Sequence, residues 1–107
     1  MNIEDTLHER GQRYGDFAEN ARIAQTIKTA IREGTTFSSL GAAQKQALDV
    51  IADKISRVVT GDATYTDNWH DIQGYARLAE VDLVADLPAS EKVATTNPGR
   101  SRASRTR

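Results

Sequence analysis

The chain has no cysteine among its 107 residues. That excludes disulfides and thiolate metal centres, and a cytosolic setting is the expectation. No apolar run approaches the ~20 residues that a membrane-spanning helix requires, so no membrane partner is expected. The first thirteen residues are charged and lack the apolar centre of a secretory signal. No Ser-His-Asp, zinc-finger, Walker or dinucleotide-binding motif occurs. Aromatic residues make up only 6% of the sequence, which leaves little bulk for a core. Net charge is small too, with 15 acidic residues against 14 basic ones. The balance is uneven along the chain. Arg100, Arg102, Arg105 and Arg107 crowd the C-terminus, and without them 10 basic residues face 15 acidic ones. An acidic body is a poor general ligand for nucleic acid, where affinity comes mostly from neutralising phosphates. The tail alone could reach nucleic acid or an acidic surface.

What the chain does have is helical periodicity. A short helix is expected from Ile3 to about Gln12, capped by Asn2, with Glu4 and Asp5 suiting its positive end. The loop Arg13-Tyr14-Gly15 follows. Asp16-Phe17-Ala18-Glu19 resembles a capping box and opens a second helix with an apolar stripe of Phe17, Ala21, Ala24, Ile27 and Ile31. Gly34 is its natural stop. The third helix is expected from about Gly41 to Thr60, capped by Ser38 or Ser39 and stopped by Gly61. Leu48, Ile51, Ile55, Val58 and Val59 mark its buried face. The fourth runs from about Asp67 to Ala85, capped by Thr66 or Asp67, with a stripe of Trp69, Ile72, Ala76, Ala79 and Leu83.

From Pro88 the pattern ends. Residues 88–107 have almost no large apolar side chain and are expected to be a disordered basic tail. The reading is therefore an all-α, four-helix domain over residues 1–87. A body this small has a thin core, so a homo-oligomer is expected to complete it.

Three places hold polar residues that a simple bundle does not demand. In Arg13-Tyr14-Gly15-Asp16-Phe17, Gly15 allows a turn or a close approach, and Tyr14 could stack on a base. An aromatic staple plus a helix cap explains the same residues. On the third helix, Asp49, Asp53 and Arg57 share a face, and Asp53 with Arg57 would make an ordinary surface ion pair. Lys54 flanks the apolar stripe, where a cation could reach a phosphate or extend to water. The third place is Asp67-Asn68-Trp69-His70-Asp71-Ile72-Gln73-Gly74-Tyr75. Asp67 and Asp71 lie one turn apart, the spacing of a candidate Mg²⁺ or phosphate-metal site. Asp67 also suits a helix cap. With Asp49 and Asp53 from the neighbouring helix, four carboxylates would share a cleft and would repel one another without a metal. Gly74 costs a helix interior about 1 kcal/mol relative to Ala, so a closely packed neighbour or a ligand is expected beside it.

Glu9-Arg10-Gly11 with Arg13-Tyr14-Gly15-Asp16-Phe17, Ala47-Leu48-Asp49 with Lys54-Ile55-Ser56-Arg57, then Gly61 and Asp67-Asn68-Trp69-His70-Asp71 with Gly74-Tyr75-Ala76 resemble, taken together, a small phage and prophage protein family of unknown function. That family is similar, more distantly, to the MazG-like all-α nucleoside triphosphate pyrophosphohydrolases. The resemblance implies a MazG-like bundle, oligomeric, in the host cytoplasm if phage-encoded. It implies two acids from each of two helices around Mg²⁺: Asp67 and Asp71 as one pair, with Asp49 and Asp53 matching the other in position. The enzymes mostly carry Glu there, a longer arm.

Three functions follow as expectations. The first is Mg²⁺-dependent hydrolysis of a nucleoside triphosphate to the monophosphate and pyrophosphate. Asp49, Asp53, Asp67 and Asp71 would hold metal and lower the pKa of the attacking water. Lys54 and Arg57 would steady the phosphates, Tyr14 or Trp69 would contact the base, and Gly15, Gly74 and Tyr75 would line the ligand site. The second is a binder that sequesters a nucleotide without turnover, in an anti-defence role. Lys54, Arg57 and the absence of Glu favour it. The third is a structural or interaction module in which these residues only set helix packing.

Overall fold

The computed structural model describes residues 2–87. The expected tail, 88–107, lies outside the described residues. Within them the fold is all-helical, with four α-helices and no strand: α1 (Ile3–Tyr14), α2 (Phe17–Arg32), α3 (Ala42–Thr60) and α4 (Thr66–Ala85). A short 3-10 turn, Phe37–Ser39, bridges α2 and α3.

Side-chain caps set two of the helix starts. Asn2 Oδ1 accepts from the Asp5 N–H at 2.8 Å, and Asp16 Oδ2 accepts from the Glu19 N–H at 3.0 Å. Each satisfies an otherwise orphaned donor of the first turn. The other two starts differ from expectation. Gly41 precedes α3 and Tyr65 precedes α4, neither with a side-chain cap. Ser39 instead donates to the Thr36 carbonyl inside the 3-10 turn. Asp67 falls in the first turn of α4, where its charge suits the helix dipole. Helix α1 also runs longer than expected, through Arg13 and Tyr14, and stops at Gly15, whose φ of 81° no other described residue approaches.

Helix α3 is the central element, with α2 and α4 packed against it. The buried apolar residues are small: Ala24, Ala47 and Ala52. Ser56 and Asn68 are the buried polar ones. Small residues bring helices close, but they bury little apolar area. The stripes read from the sequence hold only in part. Ala24 is buried and Ala21, Ile27, Ile31, Leu48, Ile51 and Val58 are half-buried. Phe17, Ile55, Val59, Trp69 and Leu83 are exposed instead, Phe17 to 84%. These residues follow helical periodicity, but no element among the described residues covers them.

Candidate functional site

Helices α1 and α2 meet at a corner, and that corner is clamped onto the end of α3. The Thr60 hydroxyl lies 3.2 Å from the Tyr14 carbonyl, and the Asp62 N–H donates to the Arg13 carbonyl at 2.9 Å. Ser56 Oγ donates to the Asn20 carbonyl at 2.7 Å, and Asn20 Nδ2 donates to Thr60 Oγ1 at 3.3 Å. Gly15 sits against the Thr60 carbonyl and Gly61 against the Arg13–Tyr14 backbone. Gly15 thus approaches backbone of its own chain.

The clamp fixes an open cleft of about 430 Å³ above it, lined by Leu7, Arg10, Tyr14, Asp16, Phe17 and Arg57, with Gly11, Gly15 and Asn20. Tyr14 is its centre. The Arg10 guanidinium lies 4.8 Å from the centroid of the Tyr14 ring and that of Arg57 lies 4.7 Å from it. Tyr65 meets Tyr14 edge-on, with centroids 6.2 Å apart, and carries Arg13 over its own ring at 4.7 Å. Among the described residues, no carboxylate pairs within 4.0 Å with Arg10, Arg13 or Arg57. A guanidinium stacked on an aromatic face keeps its in-plane N–H donors free for phosphate or carboxylate. The Tyr65 phenol donates to Asp67 Oδ2 at 2.9 Å, and that bond holds its pKa above the ordinary tyrosine value, with burial adding to the rise. Arg13 is held above its usual value chiefly by Tyr65, so its charge is fixed.

The expected carboxylate cluster is not assembled. Asp49 accepts two hydrogen bonds from Arg32 at 3.0 Å, Asp53 pairs with Lys28 at 2.9 Å, and Asp71 pairs with Lys54 at 2.9 Å. Asp49 and Asp53 sit on the side of α3 that faces α2, whereas Lys54 and Asp71 meet across α3 and α4. Asp49 and Asp53 therefore point to one helix seam and Asp71 to another, while Asp67 accepts from the Tyr65 phenol. Among the described residues, no group of three or more His, Asp or Glu side chains is placed to hold a metal ion. Lysine and arginine balance three of the four carboxylates, so Asp49, Asp53 and Asp71 do not converge on one point. The Asp53–Arg57 ion pair is also replaced: Asp53 turns to Lys28, and Arg57 turns to Tyr14.

Of the ligand-contacting residues expected from the sequence, the cleft brings together Tyr14, Gly15 and Arg57. Lys54 is spent on Asp71. Trp69, Gly74 and Tyr75 lie on α4 away from the cleft lining; Trp69 is 55% exposed, and a Cβ on Gly74 would meet nothing within 4 Å among the described residues. The cleft adds Leu7, Arg10, Asp16, Phe17 and Asn20, which sequence reasoning did not assign to a ligand. The Arg10–Tyr14 spacing of four was a readable signal; Phe17 was hidden by its place in the apolar stripe.

No helix among the described residues is long and apolar enough to cross a membrane. Comparisons with curated proteins and with solved structures found no match. A family described as "Domain of unknown function (DUF6378)" matches residues 3–81, which takes in α1, α2, α3 and most of α4, and the chain belongs to that family.

Proposed function

We propose that the protein binds a nucleotide in the α1–α2 corner cleft and holds it without turnover. The observation that carries this reading is the placement of Arg10 and Arg57 about the Tyr14 ring, with no carboxylate among the described residues pairing with them. Charged, planar donors suit the phosphates. Phe17 and Leu7 supply an open apolar wall for a base, and a volume of about 430 Å³ lies within the range of small-ligand sites. Binding is favoured over hydrolysis because Asp49, Asp53 and Asp71 turn to cations of their own chain. We infer further that the protein works as a homo-oligomer, since three buried alanines are a slender core for 86 described residues.

A thermal-shift screen of nucleoside mono-, di- and triphosphates tests the reading, with products followed in the same wells. A bound nucleotide at 100 times its dissociation constant stabilises by about 2.7 kcal/mol. The shift should survive chelation of Mg²⁺ and disappear in Tyr14→Leu and Arg57→Gln. No shift with any nucleotide at millimolar concentration would defeat the proposal, and release of pyrophosphate would replace it with the hydrolase.

A further inference from the structure

The cleft at the α1–α2 corner is lined by two kinds of polar group. Arg10 and Arg57 bring the cations that stack on Tyr14. Asp16 and Asn20, from the cap and first turns of α2, bring acceptors. Among the described residues no ion pair joins Asp16 to Arg10 or Arg57. The lining thus keeps a cationic part and an acceptor part that do not neutralise each other. A nucleotide has the matching asymmetry, with phosphates at one end and the edge of a base at the other.

Asp16 and Asn20 each hold one acceptor in reserve. Asp16 Oδ2 accepts from the Glu19 N–H at 3.0 Å, and Oδ1 accepts from no described residue. Asn20 Nδ2 donates to Thr60 Oγ1 at 3.3 Å, with the Tyr14 carbonyl 3.5 Å away. A carbonyl only accepts, so this pair of partners fixes which way the amide is turned. Asn20 Oδ1 therefore points away from the clamp. It accepts from no described residue, and Asn68 Nδ2 is the one buried unpaired side-chain atom among them, so Asn20 Oδ1 is reachable from solvent. The Asn20 N–H donates to the Asp16 carbonyl at 3.0 Å, which sets the two residues one helical turn apart on the same side of α2.

Two free acceptors side by side call for a base edge with adjacent donors. Guanine presents that edge, with its N1–H next to the C2 amine. Adenine and cytosine place a ring-nitrogen acceptor beside their amine, and uracil flanks its single N–H with two carbonyls. Any of these three would set a lone pair against Asp16 or Asn20 and leave both unpaired, which is costly once water is displaced. We propose that the cleft selects guanine nucleotides, with Asp16 and Asn20 Oδ1 as the acceptors for the N1–H and the C2 amine. The proposal rests on the nucleotide reading above and names the base. Phe17 follows Asp16 directly and is 84% exposed, which leaves its ring open to the face of that base.

Calorimetric titration of the full chain with GTP, ITP, ATP, CTP and UTP in EDTA is the experiment. GTP should bind at least tenfold more tightly than ATP, CTP or UTP. ITP keeps the N1–H and lacks the amine, so it should fall between. Asp16→Asn keeps a good helix cap, and its circular dichroism should match that of wild type. Its amide can donate where the carboxylate only accepts. The lead of GTP over ATP should therefore collapse in Asp16→Asn, and XTP, with a carbonyl in place of the C2 amine, should bind at least tenfold more tightly than it does to wild type. Equal binding of all five by wild type, or an undiminished lead of GTP in Asp16→Asn, would overturn this assignment and leave the nucleotide reading standing. Binding of none of them would overturn both.

Discussion

Gly15 and Gly61 lie on opposite sides of the corner, and a side chain on either would run into the backbone of the facing segment. A Cβ on Gly15 would lie 2.7 Å from the Thr60 carbonyl carbon, and one on Gly61 would lie 2.6 Å from Tyr14 Cα. Both obstacles are backbone, which cannot swing aside.

Gly15→Ala should therefore be among the more damaging single substitutions. It combines a φ of 81° with a backbone collision, and a loss of roughly 2–3 kcal/mol is expected from strain of this kind. Gly11→Ala is the control. Among the described residues nothing lies within 4 Å of its would-be Cβ, so helix propensity alone should stabilise it by about 1 kcal/mol. Urea midpoints of the two variants should move in opposite directions.

Asp71→Asn tests the ion-pair assignment. A carboxylate crowded by other acids would gain stability on losing its charge. Paired with Lys54 at 2.9 Å and 40% exposed, Asp71 should instead lose a few tenths to about 1 kcal/mol. Added Mg²⁺ should not alter the difference between variant and wild type. Equal or greater stability in the variant would contradict the pairing.

Asn68 is 1% exposed, and its Nδ2 donates to no acceptor among the described residues. A buried unpaired donor costs about 1–3 kcal/mol, whereas an apolar group of the same shape avoids that cost. Asn68→Leu should accordingly melt at or above the wild-type temperature. A sharp fall would mean that the amide is satisfied in solution.

Asp62 gives a pH signature. Hydrogen bonds from the Thr64 hydroxyl and N–H, at 2.6 and 2.9 Å, favour its charged form and lower its pKa, and Arg13 adds a smaller push in the same direction. The folded state then binds the proton less readily than the unfolded chain. The resulting stability is fully present above the ordinary Asp value of about 3.9 and is lost as pH falls through the lower folded value. Asp62→Asn should flatten that part of the acid titration of the urea midpoint.

The helices were legible because their signals are local. Asn2 and Asp16 cap where expected, and the stripes of α2 and α3 each contribute half-buried residues to the core. The site was less legible, because periodicity says that a residue faces something without saying what. Phe17 and Trp69 keep helical spacing with their apolar neighbours and still point to solvent. Asp49 and Asp53 share a face of α3, but whether that face meets Asp67 and Asp71 or the Lys28–Arg32 pair depends on which seam each neighbouring helix occupies. Sequence spacing fixed the phase of each acid on its own helix and left open the partner across the gap. Arg57 beside Tyr14 had the same difficulty, since 43 residues separate them in the chain.

Helix α1 buries none of its own residues and is held chiefly through the corner that Gly15 and Gly61 permit. In native-state hydrogen exchange, such an element should open as a separate unit at a lower free energy than α3. The cleft spans this division, with Arg10 and Tyr14 on α1 and Arg57 on α3. A ligand seated there must close the division between the two units to be held. Occupancy should thus be readable far from the ligand itself, as slowed exchange along the amides of α1.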